Sequence, residues 1–350
     1  MHAVAVTIRA PAKLNLSLAV LERRADGFHE IESLIVPVEL ADTLTVTAGG
    51  PAGIRLTVRF AGPLAAPRGR VLARDVPADA TNLVVRAATA LAAEAGIEPA
   101  LDIELVKRIP SGAGLGGGSS DAAAVLAAAA EAWRLGWPRE RLAAIGARIG
   151  SDVPWFFAGA AAVVAGRGER ILPVAPLMPL FAVIACPAEG LSTAAVYKAC
   201  TPSRAGVGTA VALAEALSQT KDIPRFSATA SGSALTGEAG QGAAGKGAAG
   251  KGAARNRRIS PVSVAGLLLH NDLEPPARRL LPEVDRLLAD LAWAGGLGPR
   301  LTGSGSACFT LCRTRAEARD IATRLAALAD DGRPRWPLVV AVRVGVGAGA

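Results

Sequence analysis

A glycine-rich segment, IPSGAGLGGGSSDAAA, occupies residues 109–124. It follows an alternating, strand-like stretch at 101–107 and runs into an alanine-rich stretch of helical composition at 119–134. Glycines lack the Cβ atoms that keep backbone N–H groups away from an anion, and a helix start adds unpaired donors with a partial positive charge. The pattern predicts a phosphate cradle. Its predicted residues are Pro110, Ser111, Gly112, Ala113, Gly114, Leu115, Gly116, Gly117, Gly118, Ser119 and Ser120.

Three polar residues follow the glycines at the expected helix start. Ser119 and Ser120 are candidates for the N-cap, and either hydroxyl could also contact a phosphate or a bound Mg²⁺. Asp121 is expected in the first turn, where a carboxylate favours the helix dipole.

Two other glycine loops fit this segment less well. A Walker A loop ends in Gly-Lys-Ser or Gly-Lys-Thr, and no lysine lies between Arg108 and the predicted helix. Gly112, Gly114 and Gly117 match the G-x-G-x-x-G dinucleotide fingerprint, but that fingerprint belongs to a first βαβ unit with an apolar strand. Here the strand at 101–107 carries charged residues and begins 100 residues into the chain. A dinucleotide-dependent oxidoreductase and a ligand-free glycine turn therefore remain as weaker alternatives.

Length and composition indicate an intracellular globular protein. A chain of 350 residues, 51% of them hydrophobic, suggests two domains with sizeable cores. No stretch of 18 residues is apolar and uncharged enough for a membrane span, and Arg9, Pro11 and Lys13 interrupt the first 20 residues, which argues against a signal peptide. The expected location is the cytoplasm. Four cysteines without a C-x-x-C pair and three dispersed histidines predict no resident metal site.

The net charge of +8 raises the alternative of a basic RNA-binding protein. Residues 236–258 contain five basic residues and one acidic residue, so half of the excess comes from this tract. The remaining charge lacks the interleaved aromatic residues that stack on bases, and anionic small substrates explain it equally well. The Gly/Ala/Lys-rich stretch at 230–254 is expected to be a disordered surface insertion.

Periodicity and punctuation predict seventeen elements and a domain junction at 173–179. Predicted strands cover 3–9, 14–20, 31–38, 43–48, 54–60, 101–107, 160–165, 180–185, 308–312 and 338–346. Predicted helices cover 82–95, 119–134, 139–148, 192–199, 262–269, 276–293 and 315–329, the first ending at Gly96.

Three segments together resemble the GHMP kinase family: PAKLNLSL at 11–18, the phosphate loop at 110–124, and RLTGSGSACF at 300–309. In that family the third segment supports the phosphate loop. The resemblance implies a two-domain α+β fold, with an N-terminal β-α phosphate-loop domain at 1–173 and a C-terminal ferredoxin-like domain at 174–347.

Further residues resemble one subfamily, the diphosphocytidyl-methylerythritol kinases. They are RRADGFHEIESL at 23–34, GSDVPWFF at 150–157 and NDLEPPA at 271–277. The resemblance implies transfer of the γ-phosphoryl group of Mg-ATP to the 2-hydroxyl of a cytidyl substrate, with no nucleic-acid or membrane partner. The oligomeric state stays open between a monomer and a weak homodimer. Another GHMP kinase, such as homoserine or mevalonate kinase, is the nearest alternative.

The resemblance assigns catalytic roles to Asp152 and Lys13. Asp152 aligns with the carboxylate that takes the proton of the attacking hydroxyl, and Lys13 with the lysine that would keep it ionised. Asn15 belongs to the same substrate-binding group. From the residues alone, Lys13 could equally be a solvated strand-edge lysine and Asp152 a helix N-cap before Pro154.

The remaining site residues also follow from the resemblance. It implies that His29 hydrogen-bonds the cytosine edge while Phe28 and Tyr197 cover the two faces of the ring. Without it, His29 would fit a surface turn. Asn82 and Lys107 match positions near the adenine of ATP, and Thr193 matches a threonine near the catalytic carboxylate.

Overall fold

The computed structural model describes residues 4–73, 76–218 and 261–345, and the predicted insertion at 230–254 lies outside them. The strands are β1 Val4–Arg23, β2 His29–Ala48, β3 Gly53–Phe60, β4 Ala100–Lys107, β5 Ala162–Gly166, β6 Arg170–Pro173, β7 Leu180–Cys186, β8 His270–Asn271, β9 Leu297–Leu301, β10 Cys308–Cys312, β11 Ala329–Asp330, β12 Arg333–Pro334 and β13 Leu338–Val344. The helices are α1 Leu83–Ala95, α2 Gly117–Ala132, α3 Arg139–Ala147, α4 Val153–Ala158, α5 Thr193–Ala199, α6 Thr209–Leu217, α7 Pro261–Leu268, α8 Glu274–Leu280, α9 Glu283–Trp293 and α10 Arg315–Ala326, with short 3₁₀ turns at Gly62–Leu64 and Arg70–Leu72.

One mixed sheet runs through the molecule in the order β3-β4-β2-β13-β7-β10-β9, with β1 and β5 also paired to β2. In the N-terminal half, α2 packs against β1 and β2, beside α1. In the C-terminal half, β7, β9, β10 and β13 form an antiparallel sheet in the order β13-β7-β10-β9. With α9 after β7 and α10 after β10, this is the predicted ferredoxin-like arrangement.

The two halves share one hydrophobic core. Leu14 and Leu16 of β1 belong to the same buried cluster as Ile184 of β7 and Phe309 of β10, and all four are fully buried. Because interiors pack at crystal-like density, this shared core fixes the position of each half against the other. Loops from both halves can therefore build one site.

Two predicted strand pairs are single long strands. The separate strands predicted at 3–9 and 14–20 are both part of β1, and those at 31–38 and 43–48 are both part of β2. The alternation that predicted each segment does not continue through the residues between them. Pro11 sits next to a β-bulge, where the register shifts between Pro11 and Lys13, and a bulge tolerates the missing N–H.

Several helix boundaries also differ from the prediction. α2 begins at Gly117 after an N-cap at Gly116, so neither Ser119 nor Ser120 caps it, and Asp121 lies in its second turn rather than its first. The helix predicted at 276–293 is two helices, α8 and α9, separated at Pro282. α1 begins after Asn82 and ends at Gly96 as predicted, and Gly96 is left-handed.

Short elements without clear periodicity were missed, namely α4, α6, β6, β8, β9, β11 and β12. β9 contains Gly298 and Pro299, which lower strand propensity, yet it pairs with β10 because the buried sheet supplies the partners. The predicted domain boundary at 173/174 falls between β6 and β7 and stays a prediction.

Candidate active site

Three left-handed glycines shape the phosphate loop between β4 and α2. Gly112, Gly114 and Gly116 have φ angles of 66°, 77° and 71°, which glycine adopts without strain. Because Gly116 is the N-cap of α2, the unpaired N–H groups of the helix start lie at the end of the loop. Within the loop, Ser111, Gly112 and Gly118 are exposed, Gly114, Gly116 and Ser119 are half-buried, and Pro110, Ala113, Leu115, Gly117 and Ser120 are buried.

A second glycine turn, residues 302–307, packs beneath this loop. The backbone N–H of Ala307 donates to the carbonyl of Ala113 at 3.1 Å. A Cβ atom added at Gly114 would overlap the carbonyl oxygen of Thr302 and lie 3.0 Å from the nitrogen of Gly305. The two turns are therefore in direct backbone contact, and the close approach requires glycine at position 114.

The predicted catalytic pair comes together at the loop. The Nζ atom of Lys13 lies 3.9 Å from a carboxylate oxygen of Asp152, and the backbone N–H of Lys13 donates to the carbonyl of Leu115 at 2.9 Å. Lys13 is 5% exposed, whereas the Asp152 side chain is 44% exposed. Burial lowers the pKa of Lys13 below its ordinary value, and the Asp152 carboxylate partly offsets that effect. A buried cation thus stands behind a carboxylate that a substrate can reach.

Asp152 does not cap the helix that it precedes. It occupies the residue before α4, but its side chain makes no capping hydrogen bond. Its neighbour Gly150 faces α2, since a Cβ added there would lie 3.8 Å from the hydroxyl of Ser119. Of the two candidate serines, Ser119 therefore lies next to the segment that leads to Asp152, while Ser120 is buried.

Asn15 is part of the scaffold that orients Lys13. Its Oδ1 accepts from Lys13 Nζ at 2.5 Å, its Nδ2 donates to the Ser33 hydroxyl at 2.7 Å, and its backbone N–H donates to the Thr302 hydroxyl at 3.0 Å. Asn15 is 3% exposed. All three of these hydrogen bonds join Asn15 to other residues of the protein. The predicted contact between Asn15 and the substrate stays a prediction.

The three predicted cytosine residues come from two parts of the chain. The rings of His29 and Tyr197 lie 5.2 Å apart at 34°, and Phe28, 47% exposed, has the Arg167 guanidinium 5.1 Å from its ring centroid. Burial, helped by Arg23, lowers the pKa of His29, which favours the neutral ring. Burial and the Asp152 carboxylate raise the pKa of Tyr197, which keeps its hydroxyl protonated.

Thr193 contacts the second glycine turn, and Asn82 precedes a residue that packs against the phosphate loop. The hydroxyl of Thr193, at the start of α5, lies 2.8 Å from the hydroxyl of Ser304 in the second glycine turn. Asn82 accepts from the N–H of Val84 and so caps α1. The next residue, Leu83, would lie 3.3 Å from a Cβ added at Gly118, which brings the start of α1 against the phosphate loop.

Lys107 is buried beneath the loop. Its ammonium group donates to Asp121 at 2.7 Å and to Asp42, and the three side chains are 3%, 2% and 0% exposed. Its predicted role at the adenine stays a prediction. In the structure the ammonium group donates to two acidic side chains. Burial, opposed by Lys107 and reinforced by Asp42, raises the pKa of Asp121 to about 8.

The sequence reasoning missed Asp42 altogether and assigned Asp121 only a dipole role. One signal was available for Lys107. It shares the odd-numbered face of β4 with the buried Leu101, Ile103 and Leu105, and a lysine on a buried face requires a partner. No comparable signal pointed to Asp42, whose proximity arises from the pairing of β2 with β4.

The part of the chain that the structure describes contains neither a metal-ligand cluster nor a membrane-spanning helix. Among residues 4–73, 76–218 and 261–345, no three His, Cys, Asp or Glu side chains cluster closely enough to hold a metal ion. No helix in these ranges combines the length and apolarity needed to cross a bilayer.

Comparison with known proteins agrees with this architecture. Family models match at residues 82–160 (GHMP kinases N terminal domain) and 252–331 (GHMP kinases C terminal). A crystal structure of homoserine kinase from Cytophaga hutchinsonii superposes with a TM-score of 0.63 at 17% identity, covering 98% of this chain and 95% of that one. At that identity the likeness shows the fold alone. The fold and the site together are those of a small-molecule kinase.

Full-length relatives narrow this class. A 4-diphosphocytidyl-2-C-methyl-D-erythritol kinase from Gloeobacter violaceus is 37% identical over 324 residues, covering 92% of this chain and 90% of the relative. A crystal structure of 4-(cytidine 5'-diphospho)-2C-methyl-D-erythritol kinase superposes with a TM-score of 0.66 at 32% identity, covering 98% of this chain and all of that one. The chain belongs to the GHMP kinase family.

Proposed function

We propose that this protein transfers the γ-phosphoryl group of ATP to the 2-hydroxyl of 4-diphosphocytidyl-2-C-methyl-D-erythritol, a step in non-mevalonate isoprenoid precursor synthesis. The observation that carries the proposal is the Lys13–Asp152 pair, 3.9 Å apart, attached through Leu115 to the phosphate loop. The similarity to kinases of that substrate over 92% of the chain supports the choice of acceptor.

In the proposed reaction, the substrate hydroxyl oxygen attacks the γ-phosphorus of ATP. The new O–P bond forms as the bond to the β-phosphate oxygen breaks, and ADP leaves with that electron pair. Asp152 accepts the hydroxyl proton, a role that suits a carboxylate that is 44% exposed and does not cap α4. Because a carboxylate is a weak base, its main contribution is to orient the hydroxyl and to take the proton late.

Lys13 and the loop amides stabilise charge in this scheme. The Lys13 ammonium lies between the Asp152 carboxylate and the amide oxygen of Asn15, so it is fixed before the substrate binds. Fixed donors aimed at developing charge are worth more in a water-excluded site than in water. The left-handed glycines Gly112, Gly114 and Gly116 leave the loop amides open to the triphosphate.

Mg²⁺ would accompany ATP and neutralise charge on its phosphates. It is a hard cation that prefers oxygen ligands and is usually held by one or two protein groups together with phosphate oxygens. The Asp152 carboxylate, 44% exposed, and the half-buried Ser119 at the start of α2 would be the protein oxygens offered to such an ion.

The cytidyl end of the substrate is assigned to His29, Phe28 and Tyr197. An exposed Phe28 ring and the adjoining His29 and Tyr197 rings offer both stacking surfaces and a neutral hydrogen-bonding edge. Stacking of a base on an aromatic ring is worth about 1–3 kcal/mol. Homoserine and mevalonate kinases, which share the fold, have no need of a pyrimidine clamp, so this cluster favours the cytidyl acceptor.

An acceptor panel with ATP and Mg²⁺ tests the proposal. We expect phosphorylation of the cytidyl substrate and little turnover of homoserine or mevalonate. Phosphorylation of mevalonate but not of the cytidyl substrate would overturn the choice of acceptor. We further propose a cytoplasmic location, where ATP and the substrate occur, and a monomer or weak homodimer, which light scattering across a concentration series would distinguish.

A further inference from the structure

A buried ionic cluster lies beneath the phosphate loop and takes no part in the reaction described above. It consists of Asp42 from β2, Lys107 at the end of β4, and Asp121 in the second turn of α2. Each side chain is at most 3% exposed. Removing ionised groups from water is costly, and such a cluster alone is weak grounds for a stability role. Its position relative to the loop is the informative feature.

The cluster joins the two ends of the loop. Lys107 is the last residue before the loop and Asp121 follows its end, and the Lys107 ammonium donates to Asp121 at 2.7 Å. This bond therefore spans residues 108–120, which include the three left-handed glycines. Glycine-rich segments lose the most conformational freedom on ordering, so a fixed distance between the loop ends reduces the range of conformations open to the loop.

Asp42 fixes the direction in which the chain enters the loop. One carboxylate oxygen accepts from Lys107, and the other accepts from the backbone N–H groups of Arg108 and, at 2.9 Å, Ile109. The ammonium group also lies directly under the first residue of α2, since a Cβ added at Gly117 would lie 3.3 Å from it. One carboxylate thus holds two successive loop amides and the cation that ties the loop to the helix.

We infer that Asp42 and Lys107 are positioning residues for nucleotide binding: through Asp121 they clamp the base of the phosphate loop so that its amides converge on the ATP phosphates. The inference rests on the proposed binding of ATP by this loop. It assigns Lys107 to the support of the loop rather than to a direct contact with adenine. The inference also predicts that changes in this cluster affect the binding of ATP and leave the cytidyl end of the site unaffected, because the cluster does not touch that end.

Lys107→Met and Asp42→Asn test the inference, with Asp102→Asn as the matched control. Asp102 lies on the same strand as Lys107 but on its exposed face, where it pairs with Arg55 at 2.5 Å and 2.8 Å. We expect the Kd and KM for ATP to rise about tenfold to 100-fold in both test variants, the penalty typical of misplacing binding groups by about 1 Å. The KM for the second substrate should stay within about threefold, and Asp102→Asn should leave both constants unchanged.

Hydrogen exchange supplies a readout that needs no ligand. In Asp42→Asn we expect the amides of residues 111–118 to lose protection by about tenfold or more, while those of β7 and β10 keep theirs. Because this measurement does not involve ATP, an absence of ATP binding in the wild type would refute the proposed function alone. Unchanged protection of the loop amides in Asp42→Asn would overturn the clamp. So would equal rises in the KM values for ATP and for the second substrate together with a loss of protection throughout the protein. If Lys107→Met does not fold, Asp42→Asn decides.

Discussion

Replacing Gly114 by alanine should disable the phosphate loop while leaving the protein folded. An alanine there must adopt a φ near 77°, and its methyl group would overlap the Thr302 carbonyl oxygen and lie 3.0 Å and 3.1 Å from the nitrogen and oxygen of Gly305. The left-handed conformation costs about 1–2 kcal/mol, and overpacking adds about 1–3 kcal/mol. Relief requires the loop and the second glycine turn to separate by something on the order of 1 Å, a displacement that can cost about 100-fold in rate.

Steady-state kinetics with varied ATP measures the loss of rate, and thermal denaturation measures the loss of stability. Gly96→Ala is the matched control, because Gly96 is also left-handed, with φ of 64°, but has no atom within 4 Å of an added Cβ and lies outside the loop. We expect both variants to lose stability and only Gly114→Ala to lose about 100-fold or more in kcat/KM for ATP. A Gly114→Ala enzyme within threefold of wild type, or an equal loss in Gly96→Ala, would refute the close contact between the two turns.

Three further changes test the other parts of the site. Asp152→Asn should lower kcat by about 100- to 10,000-fold, the range for loss of a positioned base, while the Kd for ATP from calorimetry stays within a few-fold. His29→Ala should raise the KM for the cytidyl substrate by about 5- to 150-fold, equivalent to the 1–3 kcal/mol of buried hydrogen bonds, with little change in the KM for ATP. Asp121→Asn should alter the pH dependence of the Tm. In the wild type, the Asp121 carboxyl has a pKa of about 8 in the folded state and its ordinary value of 3.8 in the unfolded chain. The folded state therefore binds more protons between these two values, and wild-type stability falls as pH rises through that interval. The variant lacks this titration, and its Tm relative to wild type should increase from pH 5 to pH 8 and level off above that.

Each of these has a control and a contrary outcome. Ser151→Ala, an exposed neighbour of Asp152, should leave kcat near wild type, and a normal kcat in Asp152→Asn would remove that residue from the mechanism. Equal rises in both KM values would contradict the placement of His29. Asp102→Asn should show no trend in relative Tm between pH 5 and pH 9, because Arg55 lowers the pKa of Asp102 below that interval; a flat profile for Asp121→Asn as well would mean that Asp121 is ionised throughout.

Much of the fold was accessible from local patterns. The strand–glycine loop–helix unit at 101–134, the helix that ends at Gly96 and the strand at 308–312 follow from periodicity and glycine placement, and the structure confirms them. The errors arose where tertiary contacts outweighed local signals. Pro11 did not interrupt β1, because a bulge accommodates it, and β9 formed despite Gly298 and Pro299, because β10 supplies its hydrogen bonds.

The sequence by itself determined the chemistry that the chain can perform: the glycine spacing that exposes loop amides, and the presence of Lys13, Asp152, His29 and the aromatic residues Phe28 and Tyr197. Only the tertiary structure decided how these groups combine. The 3.9 Å approach of Lys13 to Asp152 and the pairing of Lys107 with Asp42 join residues that are 139 and 65 positions apart, and nothing in local propensity encodes such distances. These distances follow from sheet pairing and from a core shared by both halves. A buried cation such as Lys13 or Lys107 must also have a partner, because an unpaired buried charge is costly.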